Sequence, residues 1–192
     1  MEWSLSLLLN HPEVLKKAQA EIEYQVGHER LVDESDMTQL PYLQSIIKET
    51  LRMYPLAPLL LPHLAASECM VGGFHIPAGT TLFVNAWAIQ NDPNVWEEPE
   101  RFKPERFEEE EEQGTRNGLR LMPFGSGRRG CPGEGLAMRV VGLVLGSLIQ
   151  CFYWERPTIE KVDMTKGTGF NLARAQPLLA KCRSHPAVFD SL

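Results

Sequence analysis

The stretch FGSGRRGCPG, residues 124–133, places Cys131 at the end of a glycine-rich loop and just before an apolar run. Pro132 is suited to the first turn of a following helix. The N-terminus of that helix and the neighbouring Arg128 and Arg129 carry positive charge, which favours the thiolate form of the cysteine. The glycines let a flat group approach the loop backbone closely. The stretch therefore predicts a thiolate held at the mouth of a helix.

A thiolate in this position has several uses. A nucleophile needs a base, and the nearest preceding histidine in the sequence, His75, is far away along the chain. A redox pair needs Cys-x-x-Cys spacing, which is absent, and the cysteines at 69, 131, 151 and 182 are too scattered for a zinc site. An axial bond to haem iron needs only one thiolate. The alternative is an anion-binding glycine loop with an incidental cysteine.

Two charged motifs lie on the N-terminal side of this loop. Glu49 and Arg52 are three residues apart on a helix predicted over Pro41–Tyr54, opposite its apolar face. Their plain interpretation is a surface ion pair of little energetic value. The second motif, FKPERF at 102–107, holds Arg106 between aromatic residues in a proline-fixed turn. If this turn covers the polar side of the helix, the three side chains form a buried Glu–Arg–Arg network.

The remaining hydrophobic pattern alternates between helix-like segments and short strand-like ones. Proline and glycine punctuate the middle of the chain, so that part is predicted to be mostly coil. The fold class is therefore mainly α with small β-sheets (α+β). The predicted elements are helices at Trp3–Asn10, Pro12–Val26, Pro41–Tyr54 and a buried one at Leu136–Leu148, a hairpin at Cys69–Ile76, a strand at Thr80–Asn85, coil at Asn91–Gly130, a turn at Gly167–Gly169 and an irregular tail.

Composition excludes several classes of protein. The 192 residues are 43% hydrophobic and 23% charged, as in a globular chain. The net charge of −6 argues against nucleic-acid binding, which needs a basic excess. The most apolar stretch, Val140–Ile149, is far shorter than the roughly 20 residues of a membrane span. The N-terminus has no basic region of a signal peptide, so no membrane span or leader is predicted.

KETLR at 48–52, PLAPLLLPH at 55–63, FKPERF and FGSGRRGCPG occur in this order. Together they resemble the C-terminal part of a cytochrome P450, a haem-thiolate monooxygenase. The resemblance covers essentially the whole chain, 1–192, and is greatest to plant microsomal enzymes of the flavonoid and isoflavonoid hydroxylase type. It implies the haem-binding, C-terminal portion of the cytochrome P450 fold, incomplete because the N-terminal half and the membrane anchor are missing.

The resemblance also implies roles for individual residues. Cys131 would be the axial ligand of the iron of haem b, and Phe124 would pack near the sulfur and the porphyrin. Gly127 and Gly133 would allow close approach of the loop, and Arg129 and His63 would contact haem propionates. The remaining roles are a structural network of Glu49, Arg52 and Arg106, and a substrate pocket that includes Ala57, Leu59, Leu60, Leu61, Gly169 and Phe170.

The implied reaction is hydroxylation of a small apolar aromatic substrate by O2, with electrons from NADPH-cytochrome P450 reductase. Arg116, Arg120 and Arg128 are candidates to face that reductase. Full-length relatives are expected at the cytosolic face of the endoplasmic reticulum membrane, whereas this chain has no anchor. The oxygen-activating pair is expected upstream of Met1, so no catalytic residue is assigned here, and the isolated chain is expected to be weakly stable and inactive. The alternative is a non-catalytic haem-binding or inert truncated fragment, and an anion-binding module with a reactive cysteine also stays open.

Overall fold

A computed structural model of the chain describes residues 1–112 and 119–186. Helices occur along most of the described chain, and the short strands lie between α3 and α4 and after α6. The helices are α1 (Glu2–Asn10), α2 (Pro12–Gln25), α3 (Pro41–Met53), α4 (Ala86–Gln90), α5 (Glu105–Glu112) and α6 (Glu134–Cys151), with 3-10 turns at Glu34–Gln39 and Gly127–Arg129. The strands are β1 (His63–Leu64), β2 (Cys69–Val71), β3 (Phe74–Ile76), β4 (Thr81–Leu82), β5 (Phe152–Glu155) and β6 (Lys181–Ser184). The α+β class predicted from the sequence is confirmed.

The first three helices form where the apolar spacing predicts them, because their caps and their buried faces agree. A proline occupies the first turn of both α2 and α3, where its missing N–H costs nothing. No side chain of its own caps the N-terminus of α3. Instead the Glu21 carboxylate on α2 accepts hydrogen bonds from the backbone of Tyr42 (2.7 Å) and Leu43 (2.9 Å). This contact fixes the position of α3 relative to α2.

The core lies between α1, α2, α3 and the C-terminal half of α6. Gly146 lets α6 approach α3 closely, since a Cβ there would lie 3.1 Å from a methyl of Leu43. The prediction that the whole of α6 is buried is wrong, because Leu136 is 68% and Val140 48% exposed. By length and apolar composition α6 is the one described helix that meets the criterion for crossing a membrane, a criterion that core helices of soluble proteins also meet.

The strands form three separate two-stranded antiparallel sheets, β1–β4, β2–β3 and β5–β6. The predicted hairpin is confirmed as β2–β3, in which Met70 lies opposite His75. The predicted strand at Thr80–Asn85 is too long: β4 ends at Leu82, and α4 follows after Asn85 caps it by accepting from Ala88 N. The Asn91–Gly130 segment contains α5 as well as coil, and the C-terminal tail contains β6. Both segments therefore have more regular structure than the sequence predicted.

The C-terminal part of the chain fastens α1. Trp3 Nε1 donates to Leu172 O (2.8 Å), and the Asn10 side chain exchanges two hydrogen bonds with the backbone of Val162 (2.9 and 2.8 Å). The predicted turn at Gly167–Gly169 is present in this region, where Gly167 N donates to Ala173 O (2.8 Å). The turn therefore holds the segment that contacts α1.

Candidate functional site

The glycine-rich loop is a chain of tight turns that ends at Cys131. Gly125 and Gly127 have φ of +74° and +69°, a region of backbone conformation that residues with a Cβ rarely adopt. Gly125 N donates to Met122 O (3.0 Å), and Cys131 N donates to Phe124 O (2.9 Å). These bonds bring Phe124 and Cys131 together at the base of the loop.

The cysteine precedes α6 rather than lying in its first turn. The helix begins at Glu134, whose N–H donates to Cys131 O at 3.4 Å. Pro132 and Gly133 form the turn between them, so the prediction that Pro132 opens the helix is wrong. A Cβ on Gly133 would lie 3.7 Å from Cys131 Sγ, in ordinary contact. The sulfur is exposed and faces a cavity.

That cavity has a volume of about 820 Å³ and lies between α1, α3, the segment from Leu56 to His63, the glycine-rich loop and α6. Its walls are largely apolar, and they include Ile47, Leu51 and Val141. Tyr54 also lines it, stacked on Trp3 with ring centroids 4.0 Å apart, and burial raises the pKa of the Tyr54 hydroxyl. A volume of this size suits a cofactor or a substrate of moderate size.

The structure brings most of the candidate cofactor residues to this cavity. Cys131, Phe124, Arg129 and His63 line it, and among the described residues the Arg129 and His63 side chains have no hydrogen-bond or ion-pair partner. Gly127 is not on the wall; it contributes through its positive φ, and a Cβ there would meet nothing within 4 Å. One arginine, one histidine and one cysteine therefore share a largely apolar surface.

The candidate substrate-pocket residues divide into two groups. Ala57, Leu60 and Leu61 line the cavity, and Leu60 holds a left-handed backbone with φ of +51°. Leu59, Gly169 and Phe170 do not line it, and Leu59 and Phe170 are both exposed. The late turn reaches the cavity through Leu172 instead, a residue that the sequence pattern did not single out.

The Glu–Arg–Arg network is buried, and the plain interpretation of a surface ion pair is wrong. Arg52 donates to the two oxygens of Glu49 through Nε (2.7 Å) and Nη2 (3.0 Å), and Arg106 Nε donates to Glu49 Oε1 (3.1 Å). Glu49 and Arg52 are 0% and Arg106 8% exposed. Lys103 N adds a further bond to Glu49 Oε1 (3.1 Å). The turn at 102–107 therefore covers the polar side of α3.

Sequence reasoning missed a buried amide next to this network. Gln90, at the end of α4, is 0% exposed and lies between the end of α3 and the start of the glycine-rich loop. Its side chain donates to the carbonyls of Leu51 and Arg52 (both 3.0 Å) and accepts from Met122 N (2.9 Å). No periodicity marks it, and α4 itself was not predicted, so the sequence offered no signal for this residue.

The arginines proposed to face a partner are arranged differently from one another. Arg128 is exposed. Arg120 points inward: its Nη2 donates to Val95 O (2.7 Å), and its guanidinium stacks over the buried Trp96 at 4.6 Å from the ring centroid. Arg116 lies outside the described residues. Of the three, Arg128 alone is described with an exposed side chain.

Comparison with known proteins identifies the class to which this fold and cavity belong. A zebrafish cytochrome P450 solved with abiraterone superposes with a TM-score of 0.86 at 33% sequence identity, over 95% of this chain and 42% of the solved chain. A second zebrafish cytochrome P450 structure, with progesterone, gives 0.85 at 33% identity, over 95% and 40% of the two chains. The family model described as Cytochrome P450 matches residues 1–180. The chain belongs to the cytochrome P450 family.

Plant proteins resemble the chain more closely in sequence. It is 55% identical over 186 residues to cytochrome P450 81D1 of Arabidopsis thaliana, covering 97% of this chain and 36% of that protein. It is 51% identical over 190 residues to the isoflavone 3'-hydroxylase of Medicago truncatula, covering 99% and 37% of the two chains. With (+)-piperitol/(+)-sesamin synthase of Sesamum radiatum the identity is 53% over 182 residues, or 95% and 35%. The chain thus spans little more than a third of the length of these relatives.

Proposed function

We propose that residues 1–192 are the haem-binding part of a cytochrome P450 monooxygenase that hydroxylates a small aromatic plant metabolite of flavonoid type. In the complete protein the electrons would come from NADPH through cytochrome P450 reductase, at the cytosolic face of the endoplasmic reticulum. The observation that carries the proposal is the shared wall of Cys131, Arg129 and His63 around an apolar cavity of about 820 Å³.

The chemistry of this wall fits haem. A porphyrin is apolar across its face and anionic at its propionate edge, so it needs apolar walls, cationic donors at one side and a ligand for the metal. The cavity offers all three, and Arg129 and His63 are unpartnered within the described part of the chain. When bound, haem with a thiolate ligand supplies the activation of O2 for insertion of one oxygen atom into a C–H bond.

The residues of the chain would bind, orient and exclude water. Cys131 would hold the iron through its sulfur, and Phe124 would pack near that sulfur, since both residues line the cavity and a backbone bond from Cys131 N to Phe124 O (2.9 Å) holds them together. Arg129 would bind a propionate by charge-assisted hydrogen bonds. In this proposal the network of Glu49, Arg52 and Arg106 contacts neither haem nor substrate. Its role is structural: it stabilises the part of the chain that supports the glycine-rich loop.

The substrate class rests on the walls of the cavity and on the names of the relatives. Ala57, Leu60 and Leu61 offer apolar contacts and no charge, which suits a flat, low-charge molecule. The relatives named isoflavone 3'-hydroxylase and (+)-piperitol/(+)-sesamin synthase indicate aromatic plant metabolites. We therefore propose a flavonoid-like or lignan-like aromatic as substrate.

The test is reconstitution of the purified chain with haemin, followed by the absorption spectrum of the ferrous–CO complex. A thiolate ligand shifts the main absorption band strongly to the red, and Cys131→Ala is expected to abolish that shift. Cys182→Ser is the matched control, because Cys182 is an exposed cysteine on β6 far from the cavity. A red-shifted band that survives Cys131→Ala, or one lost equally in both variants, would contradict the assignment of the ligand.

A further inference from the structure

The side chain of Gln90 joins two parts of the chain that the proposed function needs in register. Its amide nitrogen donates to Leu51 O and Arg52 O, two of the last carbonyls of α3, which have no partner within the helix. Its oxygen accepts from Met122 N, the backbone at the entrance to the glycine-rich loop. Both N–H groups and the carbonyl of the amide are therefore used, in a fully buried position.

The backbone of Gln90 is part of the same junction. Its carbonyl accepts from Arg52 Nη1 at 2.8 Å, so the residue also contacts the Glu49–Arg52–Arg106 network directly. The other side of Met122 continues the connection, since Met122 O accepts from Gly125 N (3.0 Å). The 3-10 turn at Gly127–Arg129 begins two residues after Gly125 and leads to Cys131. One side chain thus connects the buried ion network to the loop that carries the sulfur.

We infer that Gln90 is a positioning residue that sets the geometry of the Met122–Cys131 loop and thereby of the Cys131 sulfur. The inference rests on the proposed function for the part that concerns iron ligation. Its physical basis is independent of haem: an apolar residue at 90 would leave two helix-end carbonyls and one loop N–H without partners in the interior. The loop would then lose the bond that holds Met122, and an anchor that remains on its N-terminal side is the bond from Arg120 Nη2 to Val95 O.

The chain contains a matched control for this amide. Gln150 on α6 is also buried, and it makes the same pattern of bonds: it accepts from Val32 N (3.0 Å) and donates to Gly27 O (3.0 Å) and Arg30 O (2.9 Å). None of these partners lines the cavity. Gln150→Met therefore makes the same change of side chain as Gln90→Met and removes the same number and kind of hydrogen bonds, but it does so away from the glycine-rich loop.

The first measurement is hydrogen exchange of backbone amides in the chain without haem. Gln90→Met is expected to speed exchange of Met122 and the following loop roughly tenfold or more, and to leave Val32 unchanged. Gln150→Met is expected to do the reverse. The second measurement is the alkylation rate of Cys131, resolved by mass spectrometry of its peptide, which is expected to change severalfold only in Gln90→Met. After reconstitution, only Gln90→Met is expected to lower the fraction of ferrous–CO complex with the red-shifted band.

Gln90→Glu gives a variant that responds to pH. A protonated carboxyl keeps an acceptor for Met122 N and one donor for a carbonyl of α3. A carboxylate keeps the acceptor but has no donor, so it would face both carbonyls of α3 across a repulsive contact that displaces residue 90 from the junction. Loop exchange and Cys131 alkylation in Gln90→Glu are therefore expected to approach the unsubstituted values as the pH falls. This variant replaces Gln90→Met if the latter does not fold.

Equal effects of Gln90→Met and Gln150→Met on Cys131 alkylation would overturn the inference. So would a ratio of loop exchange rates, Gln90→Glu to unsubstituted protein at the same pH, that stays constant as the pH changes. Absence of the red-shifted band in the unsubstituted protein would contradict the proposed function instead. The exchange and alkylation results would still decide the role of Gln90, because neither measurement requires haem.

Discussion

Replacing Glu49 by glutamine removes one charge from the centre of the buried network and keeps the shape of the side chain. The carboxylate accepts from Arg52 Nε and Nη2, Arg106 Nε and Lys103 N, at 2.7 to 3.1 Å. The substituted amide has one acceptor oxygen, and its NH2 group faces donors. Two guanidinium groups, 0% and 8% exposed, would then lie buried without this carboxylate.

Breaking a buried ion pair by removing one partner costs about 3–5 kcal/mol. A domain of this size loses roughly 2–4 °C of Tm for each kcal/mol. We therefore expect Glu49→Gln to lower Tm by about 6–20 °C. Because the free energy of unfolding of such a domain is only about 5–15 kcal/mol, the change removes a large share of the total stability.

The assay is urea and thermal unfolding followed by far-ultraviolet circular dichroism. Tryptophan fluorescence is a second probe, to which Trp96 contributes from its buried position against this network. Glu34→Gln is the control: it breaks an ion pair of 3.0 Å with Arg139 in which both side chains are 68% exposed. Such a pair contributes little, so we expect a change within about 0.5 kcal/mol. Equal losses in the two variants would refute the argument that burial gives the network its value.

Three further predictions concern packing, pH and the cavity wall. Gly146→Val is expected to destabilise the chain by about 1–3 kcal/mol, because even a Cβ there would lie 3.1 Å from Leu43. Gly135→Ala is the control: a Cβ there would meet nothing within 4 Å, so this variant is expected to gain up to about 1 kcal/mol of stability. Urea midpoints give both values, and a tolerated Gly146→Val would contradict the close approach of α6 to α3. Hydrogen bonds from Arg30 hold the pKa of the Asp36 carboxyl below its usual range, so the stabilising effect of this carboxylate is present above the ordinary pKa of aspartate and is lost as the pH falls through the lowered folded value. The difference in unfolding free energy between the unsubstituted chain and Asp36→Asn should therefore shrink below about pH 4. A difference that stays constant with pH would count against this assignment. Arg129→Gln is expected to weaken haem binding roughly ten- to hundredfold in a haemin titration while the red-shifted band persists. The adjacent Arg128 does not line the cavity, so Arg128→Gln is expected to leave haem affinity unchanged. Equal affinities of the two variants would remove Arg129 from the proposed propionate site.

The sequence was sufficient to predict elements whose signals are local. Apolar spacing and first-turn prolines determine α2 and α3, and the glycine pair in the β2–β3 hairpin adopts the positive φ that its turn requires. The aromatic run of β5 had a strand signal, but its partner β6 did not, because the pairing joins segments far apart in the chain. Helix α5 begins directly after Pro104 and has acidic residues in its first turn. Both features are signals of a helix start, but the coil-forming residues on either side obscured them.

The candidate site was predictable in its residues and less so in their surroundings. Spacing alone put Glu49 and Arg52 on a solvent face, because the segment that covers them comes about fifty residues later. The residues alone joined the two motifs only on the condition that the turn at 102–107 covers the helix, and the resemblance to a family implied that it does. Gln90 was not predictable by either route, since the three partners of its side-chain amide belong to segments on both sides of it in the chain and all of them are backbone groups.

The bonds that fasten α1 have a consequence for synthesis of the protein. The partners of Trp3 and Asn10 are 169 and 152 residues further along, and Leu178 N, which donates to Glu2 Oε1, is 176 residues away. While the nascent chain is still on the ribosome, the apolar side of this first helix therefore emerges long before the residues that later secure it. Closure of such long loops is entropically slow, so α1 is expected to be a binding site for chaperones during translation and to dock only after residues 162–178 have emerged.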